Sequence, residues 1–200
     1  MLGGREDAAV EAFNLGVQLQ GEGNWMRARD AYARAMNSGV PVVEPTAAYN
    51  LGRLLEDRGD WVAARTAYGR ACRFGGTDAG VKAMYQLGFL LQEGQRDVTA
   101  ARQAFERAIA SGHPDVAPAA GVGLGTLLGA QGDPSGARDA YIRTIESGHP
   151  DHGPRAALAL GMLFEAWGEQ AAARDMYDIA IESGHPDVAP RAAAKVRSLG

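Results

Sequence analysis

The chain of 200 residues holds one cysteine, Cys72. An intramolecular disulfide and a cysteine zinc cluster are therefore excluded. No stretch approaches the ~20 consecutive apolar residues of a membrane span. The opening Met-Leu-Gly-Gly-Arg-Glu-Asp lacks the basic-then-apolar order of a signal peptide. Positive charge is not in excess: 20 Lys and Arg face 24 Asp and Glu, for a net charge of −4. Nucleic-acid binding rests on a basic face that displaces counterions, and these totals give no sign of one. No segment reads as a strand, so no Gly-rich phosphate loop follows one. No nucleophile, base and orienting group can be assembled from spacing. The expectation is a cytoplasmic, non-catalytic protein with no cofactor, no metal, no membrane and no nucleic-acid partner. A hydrophobic content of 46% against 22% charged residues still supplies apolar material for a continuous core.

What the chain does have is repetition. Leu-Gly pairs stand at Leu15-Gly16, Leu51-Gly52, Leu87-Gly88, Leu124-Gly125 and Leu160-Gly161, spaced 36, 36, 37 and 36 residues apart. A fixed period in this range marks a solenoid built from one small stacked unit. In the second unit Ala47, Ala48, Leu51, Leu54 and Leu55 recur at helical spacing on one face. Gly59-Asp60 then breaks the pattern. Gly59 suits a left-handed C-terminal position, and Asp60 can cap the next helix. A second helix runs from Trp61 to about Arg73, with Val62, Ala64, Tyr68, Ala71 and Cys72 inward. So short a turn makes the two helices antiparallel.

The other units follow the same grammar. Repeat three carries one extra residue in Gly94-Gln95-Arg96-Asp97, which accounts for the spacing of 37. Ala28, Ala64, Ala101, Ala137 and Ala173 each precede a ring by four residues: Tyr32, Tyr68, Phe105, Tyr141 and Tyr177. Small and large side chains thus share one helix face. The five mid-helix glycines cost ~1 kcal/mol each relative to alanine, so a helix is expected to cross there too closely for a Cβ. Arg29, Arg65, Arg102, Arg138 and Arg174 are expected to lay their stems on the neighbouring unit and to bond a carboxylate or a helix-end carbonyl. Between units, Ser-Gly-His-Pro loops close one helix with Gly, and Pro-Asp is expected to start the next. His113, His149 and His185 recur there. Equivalent loops lie ~8–10 Å or more apart, too far for one ion, so these histidines are read as structural. Residues 1–6 are expected to be frayed.

Ala48-Tyr49-Asn50-Leu51-Gly52, then Gly59-Asp60, Ala64, Tyr68 and Ala71, resemble the tetratricopeptide repeat family. The 36-residue unit and the helices ending in Ser-Gly-His are similar to its Sel1-like branch, and the loop wording to repeat proteins of actinobacteria. The resemblance implies an all-α fold: a right-handed α-solenoid (superhelix) of five antiparallel helix-turn-helix repeats plus a C-terminal capping helix. One domain is expected over 1–200, with repeats at about 9–40, 45–76, 81–113, 118–149 and 154–185 and the cap at 189–199. It also implies a concave groove, lined by the first helices, that binds a protein or peptide. Carried onto this sequence, the groove positions of the first three repeats are Val10, Phe13, Asn14 and Val17; Thr46, Tyr49, Asn50 and Arg53; and Lys82, Tyr85, Gln86 and Phe89. Those of repeat four are Ala119, Val122, Gly123 and Thr126, and those of repeat five are Arg155, Leu158, Ala159 and Met162. The site is expected in repeats one to three, at Phe13, Asn14, Val17, Tyr49, Asn50, Arg53, Lys82, Tyr85, Gln86 and Phe89. The rings are either recognition anchors or packing between first helices. The alternatives to a scaffold are a self-assembling module, giving a homodimer, and a repeat subunit of a larger enzymatic or regulatory complex.

Overall fold

A computed structural model describes residues 2–93 and 97–199. Eleven α-helices account for nearly all of them, and no strand occurs among the described residues. In chain order α1 (Leu2–Gly21) packs with α2 (Trp25–Met36) and α3 (Glu44–Glu56) with α4 (Trp61–Ala71), and α5 (Asp78–Glu93) and α6 (Val98–Ala110) follow. The helices continue as α7 (Val116–Ala130) with α8 (Pro134–Glu146) and α9 (His152–Ala166) with α10 (Gln170–Glu182), and α11 (Ala189–Leu199) closes the series. The chain divides into two compact halves, residues 1–104 and 105–200. In the first half each helix from α1 to α4 packs on its successor, and α3 also meets α5. In the second half α7 to α10 do the same, and α7 meets α9.

The local grammar explains these boundaries. Gly59 takes φ +76°, where a side chain would be strained, and turns the chain out of α3. The Asp60 carboxylate then accepts the Ala63 N–H at 3.1 Å and caps α4. Asn24 and Asp133 cap α2 and α8 in the same way. Helix α4 ends at Ala71 and passes into a single 3-10 turn, Cys72–Phe74, two residues short of the expected end. Helix α1 starts at Leu2, inside the segment expected to fray, and Met1 lies outside the described residues. The extra residue of repeat three falls on 94–96 and lies outside the described residues.

The core is the small-plus-ring face. Ala28, Ala64, Ala101, Ala137 and Ala173 are fully buried, as are Tyr68, Phe105 and Tyr177, with Tyr32 and Tyr141 nearly so. The steric reason for four of the mid-helix glycines is the ring of the same hairpin. A Cβ at Gly16, Gly52, Gly125 or Gly161 would lie 2.5–2.6 Å from Tyr32, Tyr68, Tyr141 or Tyr177. The first helix therefore rests with its backbone on the face of a tyrosine. The hydroxyl of that ring is anchored on the first helix of the same hairpin. Tyr32 donates to Gln20, Tyr68 to Glu56 and Tyr177 to Glu165, while the Tyr141 hydroxyl bonds the Thr126 hydroxyl.

Two inter-repeat devices differ from expectation. Arg29 and Arg138 each bond a carboxylate, and it is that of the next residue, Asp30 or Asp139, rather than one in a neighbouring unit. A guanidinium adjacent in sequence to a carboxylate can be satisfied locally. The linking arginine in the first half is Arg70, which reaches the buried Glu44, the Asn37 side chain and the Met36 carbonyl. The second difference concerns the loops of the second half. The aspartate side chains of the Pro-Asp steps do not cap α7 and α9. The histidines do. His113 Nδ1 accepts the Asp115 and Val116 N–H groups, and His149 Nδ1 accepts those of Asp151 and His152, all at 3.1–3.2 Å. His185 Nδ1 accepts the Asp187 N–H at 3.2 Å.

Candidate functional site

Both ring nitrogens of two loop histidines, His149 and His185, are engaged. With Nδ1 accepting backbone N–H, the neutral ring carries its proton on Nε2. His149 Nε2 lies 3.5 Å from Asp115, and His185 Nε2 lies 3.5 Å from Asp151. His149 and His185 thus reach the aspartate of the preceding loop and tie successive repeats together. His185 is buried and His149 nearly so. The structural reading of these residues stands on that geometry. Beside them, the His152 ring lies 4.7 Å from that of His149. Burial, then the neighbouring His149 and Arg155 charges, lower its pKa.

The groove positions of the first three repeats distribute themselves in three ways. Tyr49, Asn50 and Lys82 line one cleft of about 530 Å³ between α3 and α5, together with Thr46. The same cleft is walled by Pro41, Val42, Pro45, Thr77, Asp78 and Ala79. Val42 is 77% exposed, an unusual state for a branched apolar side chain, and it stands at the mouth. Lys82 makes an ion pair with Asp78 one turn earlier, at 2.9 Å. Phe13, Asn14, Val17, Arg53, Tyr85, Gln86 and Phe89 do not line this cleft. Phe13 is half-buried, its ring 6.0 Å from Tyr32, while Asn14 and Val17 are exposed. Tyr85 and Phe89 meet edge to face at 5.0 Å, both half-buried, with Gln86 half-buried between them in sequence.

Asn50 and Arg53 also act on the buried tyrosines. Burial raises the Tyr32 pKa, and the Asn50 amide and the Arg53 charge oppose that rise. Burial and the Glu56 carboxylate raise the pKa of Tyr68 well above the usual phenol range. The Tyr49 ring packs 6.1 Å from Tyr68. The α3 face therefore has a rigid base of rings and a polar outer layer.

Sequence reasoning missed Pro41, Val42 and Asp78. The first two lie in a loop whose wording departs from the Ser-Gly-His-Pro form, and that departure was the available signal. The repeat-four positions are small: Ala119 and Gly123 are buried, and Gly123 faces the Phe105 ring. In repeat five Arg155, Leu158, Ala159 and Met162 line a second cleft of about 370 Å³, closed by Asp187, Val188 and Arg191 at the start of α11. Among the described residues no group of three or more His, Cys, Asp or Glu could hold a metal ion. No helix among them is long and apolar enough to cross a membrane.

Antiparallel helical hairpins in tandem, four of them with a glycine seated on a ring, define a helical-repeat protein. Sequence profiles of the tetratricopeptide repeat match residues 13–79, 82–115 and 122–189. The chain belongs to the tetratricopeptide repeat family. Its fold is similar to crystal structures of MamA, at TM-score 0.71 and 22% identity over 89% of this chain and 92% of that one. It is also similar to PilF of Pseudomonas aeruginosa, at TM-score 0.68 and 19% identity over 98% and 93% of the two chains. A third relative in fold is YrrB, described as a tetratricopeptide protein with an unusual peptide-binding site, at TM-score 0.66 and 20% identity over 94% and 93%. No curated protein matches the chain.

Proposed function

We propose that the protein is a non-catalytic scaffold that binds a peptide segment of a protein partner along the first helices of repeats one to three. The observation that carries this reading is the α3–α5 cleft, where Tyr49, Asn50 and Lys82 converge on a space of about 530 Å³. A half-buried ring supplies contact area at low entropic cost, an amide can pair with peptide backbone, and a lysine favours an acidic group. Arg53, exposed one turn beyond Tyr49 and Asn50, extends the polar side. Phe13, Asn14, Val17, Tyr85, Gln86 and Phe89 would extend the surface on either side of this centre. The peptide-binding site in the description of YrrB supports the same class of function. In this reading the chain is a Sel1-like variant of the family, which the 36-residue period and the Ser-Gly-His-Pro loops support, and it acts in the cytoplasm.

The test is site-specific photocrosslinking. A photoreactive residue at Asn50 should trap a protein partner, and one at the buried-side Ala48 should not. Tyr49→Ala with Arg53→Ala should then weaken binding of that partner about tenfold or more. Unchanged affinity in a double variant that keeps its helical circular dichroism refutes the site. A concentration-dependent rise in mass by light scattering, abolished by the same double variant, would favour self-assembly through this face instead.

A further inference from the structure

We infer that the second half carries its own recognition site, an acidic-peptide cleft between α9 and the start of α11. Two arginines, Arg155 and Arg191, line it over a floor of Leu158, Ala159 and Val188, and Met162 lies beside them, 43% exposed. Leu158 and Val188 are buried and belong to the core, so the floor is fixed rather than mobile. Neither arginine side chain makes a hydrogen bond or ion pair with another described residue. The contrast with the first half is informative. Lys82 occupies the same register as Arg191, four residues after an aspartate, and is bound by that aspartate. Arg191 stands four residues after Asp187 and is not so bound. Asp187 is the one carboxylate lining this cleft. The nearby Glu165 is already taken by Lys195 at 3.0 Å and by the Tyr177 hydroxyl. Two guanidinium groups against one carboxylate leave the cleft cationic.

The occupant that fits is an extended acidic segment of a protein partner. Neighbouring helices lie ~8–10 Å apart, so the two arginines arise from separate walls. Alternate side chains of an extended peptide share one face, with residues i and i+2 about 6.6 Å apart. Carboxylates at i and i+2 can therefore engage Arg155 and Arg191, each as a charge-assisted pair. An aliphatic side chain at i+4 then continues on the same face onto Met162 and Leu158. This site is independent of the α3–α5 cleft, and it stands or falls without it.

The test uses the full chain and a fluorescein-labelled peptide with blocked ends containing Glu-Ser-Glu-Ser-Leu, read by anisotropy. The expected result is saturable binding that weakens with added salt. The Gln-Ser-Gln-Ser-Leu counterpart should bind about tenfold more weakly or worse. R155Q and R191Q should each lower affinity for the acidic peptide about tenfold. Both arginines are exposed, so the variants should keep the wild-type melting curve. The Tyr49→Ala, Arg53→Ala double variant should bind the acidic peptide as wild type does, which separates this site from the first. Three results overturn the inference: equal binding of the two peptides, binding unaffected by R155Q and R191Q, or binding only when the peptide's terminal carboxylate is freed.

Discussion

Replacing Gly161 with alanine isolates the contact on which the repeat depends. Taken alone, alanine in mid-helix is favoured over glycine by ~1 kcal/mol. The new Cβ, however, would sit 2.5 Å from Tyr177 Cε1 and 2.6 Å from Cδ1. The ring cannot move aside cheaply, because Tyr177 is fully buried and its hydroxyl is held by Glu165. Overpacking of this kind costs ~1–3 kcal/mol, and so close an approach belongs at the upper end. The net expectation is a loss of about 2 kcal/mol, or a fall in Tm of roughly 4–8 °C for a chain of this size. The control is Gly69→Ala in α4, where a Cβ meets nothing within 4 Å. There the helix propensity acts alone, and Tm should rise by a few degrees. A double-mutant cycle makes the test sharper. Tyr177→Ala by itself should cost ~3–5 kcal/mol through the cavity it opens. In that background Gly161→Ala should become stabilising by ~1 kcal/mol, because the obstacle is gone. The effect of one substitution thus reverses sign, a coupling of about 3 kcal/mol readable by urea titration. If Gly161→Ala raises Tm as Gly69→Ala does, the ring does not hold the glycine in place and the packing argument fails.

Two further outcomes follow from the same side chains. Burial raises the pKa values of Tyr32, Tyr68, Tyr141 and Tyr177, with Glu56 and Glu165 adding to the rise at Tyr68 and Tyr177. A folded-state pKa above the unfolded one gives stability that is intact below about pH 10 and lost as the pH rises beyond it. Four such groups allow a loss of up to roughly 5 kcal/mol per pH unit. The urea midpoint should therefore hold near pH 9 and collapse by about pH 11, with tyrosinate absorbance appearing together with unfolding. Ionisation of these tyrosines in a chain that stays helical would contradict the burial argument. His185→Ala should remove the acceptor for the Asp187 N–H and the neighbour of Asp151, costing ~0.5–2 kcal/mol. His185→Asn, whose amide oxygen can also cap, should recover part of that loss. Equal stability of the alanine variant and the wild type would show that the loop histidine does not hold α11.

The sequence by itself determined the period and most of the face that each helix buries, Val62 excepted, which was expected inward and is 73% exposed. These follow from local chemistry. Apolar residues at intervals of three and four choose a face, Gly59 permits the left-handed turn, and Asp60 satisfies the first free N–H groups. The capping helix at 189–199 could be read for the same reason. Side-chain partners across helices were legible only where one hairpin contains both, and then incompletely. A steric cause for the glycines was foreseen, but the tyrosine ring beneath four of them was not. Their meeting depends on the angle at which the two helices close. The arginines show the limit: periodicity marked Arg29 and Arg138, yet Arg70 makes the link, because the rotation of α4 on α3 decides which stem reaches Glu44. Among the expected groove residues, Tyr49, Asn50 and Lys82 share a cleft while Phe13 and Tyr85 do not line it. The distance between successive first helices is set by irregular loops such as Pro41-Val42, whose path no repeat pattern encodes. The cleft of Arg155 and Arg191 belongs to the tertiary structure as well. Its two cations lie 36 residues apart in the chain and face one space only because α11 stacks where a further repeat would begin.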